Sequence, residues 1–310
     1  MKQNDTSVTQ DPTPIDDSCD FLDAAVLVED RAFGSIYPVV QWINGKPTAK
    51  KEGGIAHTGG LFYSTEQGIE LPGFEPYTLV TRDGTEVEGF AARDIELVII
   101  RTRRSWLLRS ADAKALPQRF AVEEYDEDIA GARGQAHLLC TINGTKDPVM
   151  LSVSGHVSKA FMSVGNGKVR GILPRFATKV VGAASRLTAK RGKKAMPLCS
   201  FKLHIGPARD EVGKPVFTEV GAKEKSLVTL PVWLDEPKTV DEAFLKVAYV
   251  GHERFSAHQE IHQGSDDWVK AWSAEELVKS RRQPKDKGHD NGDATVEGKG
   301  GLPAPNDMGF

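Results

Sequence analysis

The order of apolar and polar positions divides the chain into a strand-like first half and a mixed second half. From Ala24 onward, short apolar runs are broken by turn residues, the pattern of β-strands joined by tight connections. Residues 24–28 and 37–43 read as the first strands, and Asn44-Gly45 supplies the positive φ a tight turn needs. The pairs Gly53-Gly54 and Gly59-Gly60 surround a run leading into Leu61, Phe62 and Tyr63. They read as a glycine-rich hairpin or a backbone held close to a neighbour, and with no helix start after them they are not a phosphate loop. Residues 77–82 and 85–90, around Asp83-Gly84, form the clearest hairpin. Residues 95–101 are apolar with little alternation, as expected of a central strand covered on both faces. A second hairpin joins 135–142 to 149–153 through Asn143-Gly144.

The period then lengthens from 2 to about 3.6 residues. Helices are expected at 156–164 and at 174–190, the latter with Pro174 in its first turn and Gly192 beyond its end. Strand character returns at 196–205, 216–220 and 226–234. A helix over 239–263 would start on a Thr239/Glu242 capping box. A last one over 266–280 carries Trp268 and Trp272 on one face, as core or docking residues. The sum is a β-rich α+β fold, an OB-like barrel or strongly curved antiparallel sheet elaborated by helices. One domain spans 23–282. The polar segments 1–22 and 283–310 are expected to be solvated tails, because neither carries enough apolar surface to pack.

Composition adds one thing that periodicity does not. The 310-residue chain has a net charge of −3, yet residues 148–209 contain no Asp or Glu and twelve Lys or Arg. That block is +12 and the remainder −15. Such separation points to a polyanionic partner. The polar N-terminus lacks the order of a signal peptide, and no apolar run reaches the roughly 18 residues of a membrane span. Cys19, Cys140 and Cys199 are odd in number and widely spaced, which excludes a disulfide framework and fits a reducing cytoplasm.

Two basic features follow. At about 100° per residue, Leu173, Phe176, Val180, Ala184 and Leu187 share an arc of about 80°, and Arg175, Lys179, Arg186 and Lys190 a neighbouring arc of about 60°. Arg191, Lys193, Lys194 and, on the next strand, Lys202 extend this charge. At the end of the central strand, Arg101, Arg103, Arg104 and Arg109 surround Trp106, a phosphate clamp beside a ring that can stack on a base. Phe201 is a second stacking candidate.

Catalytic spacing is thin. His258 and His262 stand one helical turn apart, but the intervening Glu260 is one place too late for a zinc-protease motif. There is no Walker-type loop, no nucleophile elbow and no zinc-spaced Cys/His cluster. Neither metal nor cofactor is expected.

The layout of a β-rich core, a Gly/Pro-rich tail and a terminal Asp307-Met308-Gly309-Phe310 resembles bacterial, phage and plasmid single-stranded-DNA-binding proteins. The resemblance implies an OB-fold core and a tail tip that docks replication and repair proteins, with Asp307 as the acidic part and Phe310 as the terminal aromatic. The tail is only weakly acidic, and Gly309 stands where proline is usual in that family. The expected function is therefore non-enzymatic binding of single-stranded DNA, with RNA as the alternative, in replication or recombination of a phage or plasmid. Two further readings stay open: an assembly protein whose basic block meets an acidic protein, and a metal-dependent nucleic-acid enzyme whose carboxylates meet only in three dimensions.

Overall fold

A computed structural model describes residues 36–43, 59–80, 86–108, 118–121, 133–163, 171–190, 192, 195–220 and 226–273. The chain divides into two units, residues 1–36 and 37–310, and every described element belongs to the second. The strand expected at 24–28, the Asn44-Gly45 and Asp83-Gly84 turns, Gly53-Gly54 and both expected tails lie outside the described residues.

Strands β1 (Val39–Trp42), β2 (Leu61–Ser64), β3 (Glu75–Val80), β4 (Glu86–Ala92), β5 (Ile95–Leu108), β7 (Arg133–Ile142), β8 (Val149–Ser154), β9 (Leu203–Pro207) and β12 (Pro231–Trp233) form one sheet. Its order is β12-β9-β5-β7-β8-β1-β2-β4-β3, and β6 (Gln118–Phe120) pairs with the far end of β5. The sheet curls into a half-barrel, so the molecule is β-rich α+β as expected. A separate ribbon pairs β10 (Thr218–Val220) with β11 (Ser226–Val228).

Both expected hairpins are present: β3 with β4, and β7 with β8. In the second, Asn143 (φ 45°) and Gly144 (φ 83°) turn the chain. The Asn143 side chain ties the turn down, accepting from Glu96 N at 2.9 Å and donating to Pro72 O at 2.6 Å. The glycine pair before β2 is a close approach: at Gly59, with φ +86°, an added Cβ would stand 2.7 Å from Thr229 Cγ2. One pairing departs from an all-antiparallel sheet. Strand β1 runs parallel to β8, Val39 opposite Met150.

Helices cover both faces. On one lie α1 (Gly155–Met162) and α2, a continuous helix over 172–190 built as Ile172–Phe176, a π turn at Ala177–Val181, and Gly182–Lys190. Its buried side is the expected one: Leu173, Phe176, Val180 and Ala184 join the main core, with Leu187 packed against it. Leu97, Leu138, Leu151 and Phe161 in that core are fully buried, each worth about 1.5–3 kcal/mol of transfer free energy. Helix α3 (Glu242–Ala248) sends Leu245 and Ala248 into the main core, while α4 (His252–Gly264) and α5 (Asp266–Lys270) lie on the opposite face and cover smaller clusters around Val98 and Ile100 and around Leu139 and Met150.

The helix expected over 239–263 is two helices. Asp241, not Thr239, caps the first, its Oδ1 accepting from Phe244 N at 2.8 Å. The break falls where Phe201 and Tyr249 form a β-bridge: Lys202 N donates to Ala248 O and Val250 N to Ser200 O. Tertiary pairing satisfies those backbone groups in place of helical hydrogen bonds, and Gly251 at φ +90° then resets the chain direction. The 3-10 turn at Leu198–Ser200 likewise replaces the first part of the strand expected at 196–205.

Candidate nucleic-acid interface

Strand β5 decides where the arginine cluster goes. Ile95, Leu97 and Ile99 face the main core, and Val98 and Ile100 face α4. Pairing with β7 then slips by one residue, Ile99 opposite Cys140 but Arg101 opposite Leu139, which makes Ile100 the extra residue of a β-bulge. The slip turns Arg101 and Arg103 toward the C-terminal helices. Arg101 pairs with Asp266, and its Nε donates to His262 O at 3.1 Å. The guanidinium of Arg103 lies 4.2 Å from the Trp268 ring centroid and 4.3 Å from that of Trp272. It also donates to Trp268 O at 2.7 Å and meets His137 Nδ1 at 3.3 Å. Both tryptophans are buried.

The pleat sends the alternate residues to the other face. Arg104 is exposed, and Trp106 is half-buried beside Gly134, where an added Cβ would lie 3.5 Å from the ring. Their partners Ala136 and Gly134 are successive same-face positions of β7, and Ala136 belongs to the main core under the helices α1 and α2. Arg104 and Trp106 therefore share a sheet face with the basic helix, while Arg101 and Arg103 do not. The described arginines of the expected clamp are divided between two faces, because residues of opposite parity on a strand cannot point the same way. Arg109 lies outside the described residues.

The helical stripe is divided too. Arg175 pairs with Glu236 through its Nη1, and Lys179 Nζ stands 2.7 Å from the same carboxylate and 3.1 Å from Pro237 O. Arg186 and Lys190 are exposed and have no acidic partner among the described residues. Arg191, Lys193 and Lys194 lie outside those residues. Lys202 is on the opposite sheet face, 3.5 Å from Glu96, which also approaches Arg254 at 3.9 Å. Arg209 pairs with Asp94 at 2.6 Å. Acids from outside the acid-free block thus neutralise Arg175, Lys179, Lys202 and Arg209. Lys159, Arg186 and Lys190 stay exposed on the α1/α2 side.

Phe201 is not a stacking ring in this structure. It is 2% exposed, in the main core and edge-on to Tyr249 at 6.4 Å, so neither of its faces is open to a base. The His258/His262 pair does not make a metal site. Buried His258 has both ring nitrogens engaged, Nδ1 with Cys199 O and Nε2 with Thr141 Oγ1, each at 3.2 Å. Since a carbonyl only accepts, Nδ1 carries the proton and Thr141 donates to Nε2. Burial, with a smaller push from Arg254, holds the His258 pKa below its ordinary value. Among the described residues, no three His, Cys, Asp or Glu side chains are grouped to hold a metal ion, and no helix is long and apolar enough to cross a membrane. Asp307 and Phe310 of the tail tip are outside the described residues.

Sequence reasoning missed Lys238. It lies exposed in the 234–240 connection and, with Lys179 and Arg186, lines a cleft against the π turn. It follows Glu236 and Pro237 and belongs to no basic run, so only the fold brings it to the helix. In comparisons with known proteins, no family model, curated sequence or solved structure matches this chain.

Proposed function

We propose that this protein binds single-stranded nucleic acid without acting on it chemically, with DNA as the first candidate and RNA as the alternative. The observation that carries the reading is the company Trp106 keeps. It shares its sheet face with exposed Arg104 and with the helix that bears exposed Arg186 and Lys190. Unpaired cations meet phosphates and release counterions, and a half-exposed indole gives an unpaired base a stacking surface. The tail tip, Asp307 and Phe310, would dock replication or recombination proteins, as in the family the chain resembles. The curled sheet is compatible with an OB-like core. A phage or plasmid setting belongs to the same reading.

The test is fluorescence anisotropy of a labelled thymidine 20-mer and of a duplex of equal length over a salt series. The expected result is preference for the single strand. With three or four phosphates neutralised, the slope of log K against log salt should be about −2 to −3. Arg186→Glu with Lys190→Glu should weaken binding about tenfold or more and flatten the slope, with an unchanged circular-dichroism spectrum. Absence of binding at low salt sinks the reading. Competition by polyglutamate as strong as by unlabelled oligonucleotide favours an acidic protein as the partner. Strand cleavage that appears only with added divalent metal favours an enzyme.

A further inference from the structure

The cleft beside the π turn is a basic recess whose charges the fold brings together. It has a volume of about 270 Å³ and is lined by Thr178, Lys179, Ala183, Arg186, Lys238 and Val240. No acid lines it. The neighbouring acids are committed elsewhere: Asp235 accepts from Trp233 Nε1 at 2.7 Å, Asp241 caps α3, and Glu236 holds Arg175 and Lys179. Three cations, Lys179, Arg186 and Lys238, line the cleft, and among the described residues only Lys179 of the three has a carboxylate partner, Glu236.

Two features of the helix shape the recess. Within the π turn, the Thr178 hydroxyl donates back to Pro174 O at 2.8 Å, a contact that bends helices, and the extra residue of the turn widens it at this point. Arg186 lies back along the helix, with its Nη1 at 3.5 Å from where a Cβ on Gly182 would stand, while the side chain as a whole stays exposed. Lys179 is held in place by Glu236 and Pro237 O and keeps its ammonium 6.0 Å from the Trp233 ring. Ala183 and Val240 supply an apolar floor.

We propose that this cleft binds a phosphate group carried on a sugar, with Arg186 and Lys238 as its direct ligands and Lys179 fixing the field behind them. At about 30 Å³ per water the space holds roughly nine waters, more than a bare anion needs. It falls just below the roughly 300–1,000 Å³ of pockets for drug-sized ligands, which suits a phosphorylated sugar. The anion site stands on the cleft alone. Only the carrier of the phosphate, a nucleotide or a strand, rests on the nucleic-acid reading.

The experiment titrates the full chain with thymidine monophosphate, thymidine and an unlabelled thymidine 12-mer, followed by calorimetry. The wild type is compared with the double variant Arg186→Gln/Lys238→Gln and with Lys270→Gln as a control on the opposite face. Binding of the monophosphate but not of thymidine, weakened about tenfold or more in the double variant and unchanged in the control, establishes the pocket with a monoester as ligand. Weakening of the 12-mer alone establishes it with a backbone diester. If the monophosphate binds and no oligonucleotide does, the strand-binding reading falls while the pocket stands. If the double variant binds every probe as tightly as the wild type, or if no probe binds the wild type, the pocket proposal is overturned.

Discussion

Arg103 and Arg104 are adjacent in the chain and opposite in consequence. The first gives its charge to two indoles and a carbonyl between β5 and α5; the second gives its charge to solvent. A desolvated cation–π contact is worth about 2 kcal/mol or more, so Arg103→Ala should cost about 2–3 kcal/mol. For a domain of this size that lowers the melting temperature by roughly 4–12 °C. Lysine should not rescue it, because a point charge cannot stack flat against two rings. Arg104→Ala should leave the melting temperature within about 1–2 °C and instead weaken strand binding; melting curves and anisotropy on the two variants separate the roles. His258 carries a pH dependence of definite sign. Its folded pKa lies below the ordinary value of about 6.5, so between the two the unfolded chain binds more protons. Its contribution to stability is complete above about pH 6.5 and is lost as pH falls toward and through the folded pKa. Urea midpoints at pH 8, 6.5 and 5 should fall in that order, and His258→Gln should flatten the trend; a variant with the wild-type slope would exclude this histidine as its source.

Among the elements, those set by local pattern were legible and those set by a count were not. The two hairpins follow from alternation on either side of a turn, and the buried side of α2 follows from the 3.6-residue period. The bulge at Ile100 is a single slipped hydrogen-bond pair in an uninterrupted apolar run, and no residue type marks it. That slip alone decides which arginines reach which face. The pairing of the acid-free block is hidden for a related reason. Its charges look unpaired along the sequence, yet Arg175 finds Glu236 at a separation of 61 residues, as Arg101, well upstream of the block, finds Asp266 at 165. Glu236 is therefore a test of the helix as an element. Glu236→Gln should lower the melting temperature, because Arg175 and Lys179 lose their shared counter-ion. It should also raise affinity for the labelled strand and steepen its salt slope. Unchanged affinity would put the basic helix outside the binding surface.

At the scale of the molecule, the proposed function assigns strand binding to the sheet and partner docking to the tail segment. Removing residues 283–310 should leave oligonucleotide affinity intact and abolish capture of replication or recombination partners, if the tip docks them as proposed. A shorter chain with weaker DNA binding would assign the segment to the interface instead. The sheet itself has a timing built into it. Strand β1 lies between β2 and its parallel neighbour β8, and the indole of Trp42 donates to Thr229 O at 2.8 Å, 187 residues on. Roughly 110 residues separate Val39 from Met150. At about 5–20 residues per second, β1 leaves the ribosome some 5–20 s before the strand beside it exists, and Thr229 follows later still. During that interval one side of β1 has unpaired backbone groups, an edge that invites pairing with another chain. Nascent chains arrested before residue 148 should therefore remain protease-sensitive across β1 and β2 and should bind holding chaperones. Chains extended past residue 233 should lose both properties, and a holding chaperone supplied in excess during synthesis should raise the yield of soluble protein.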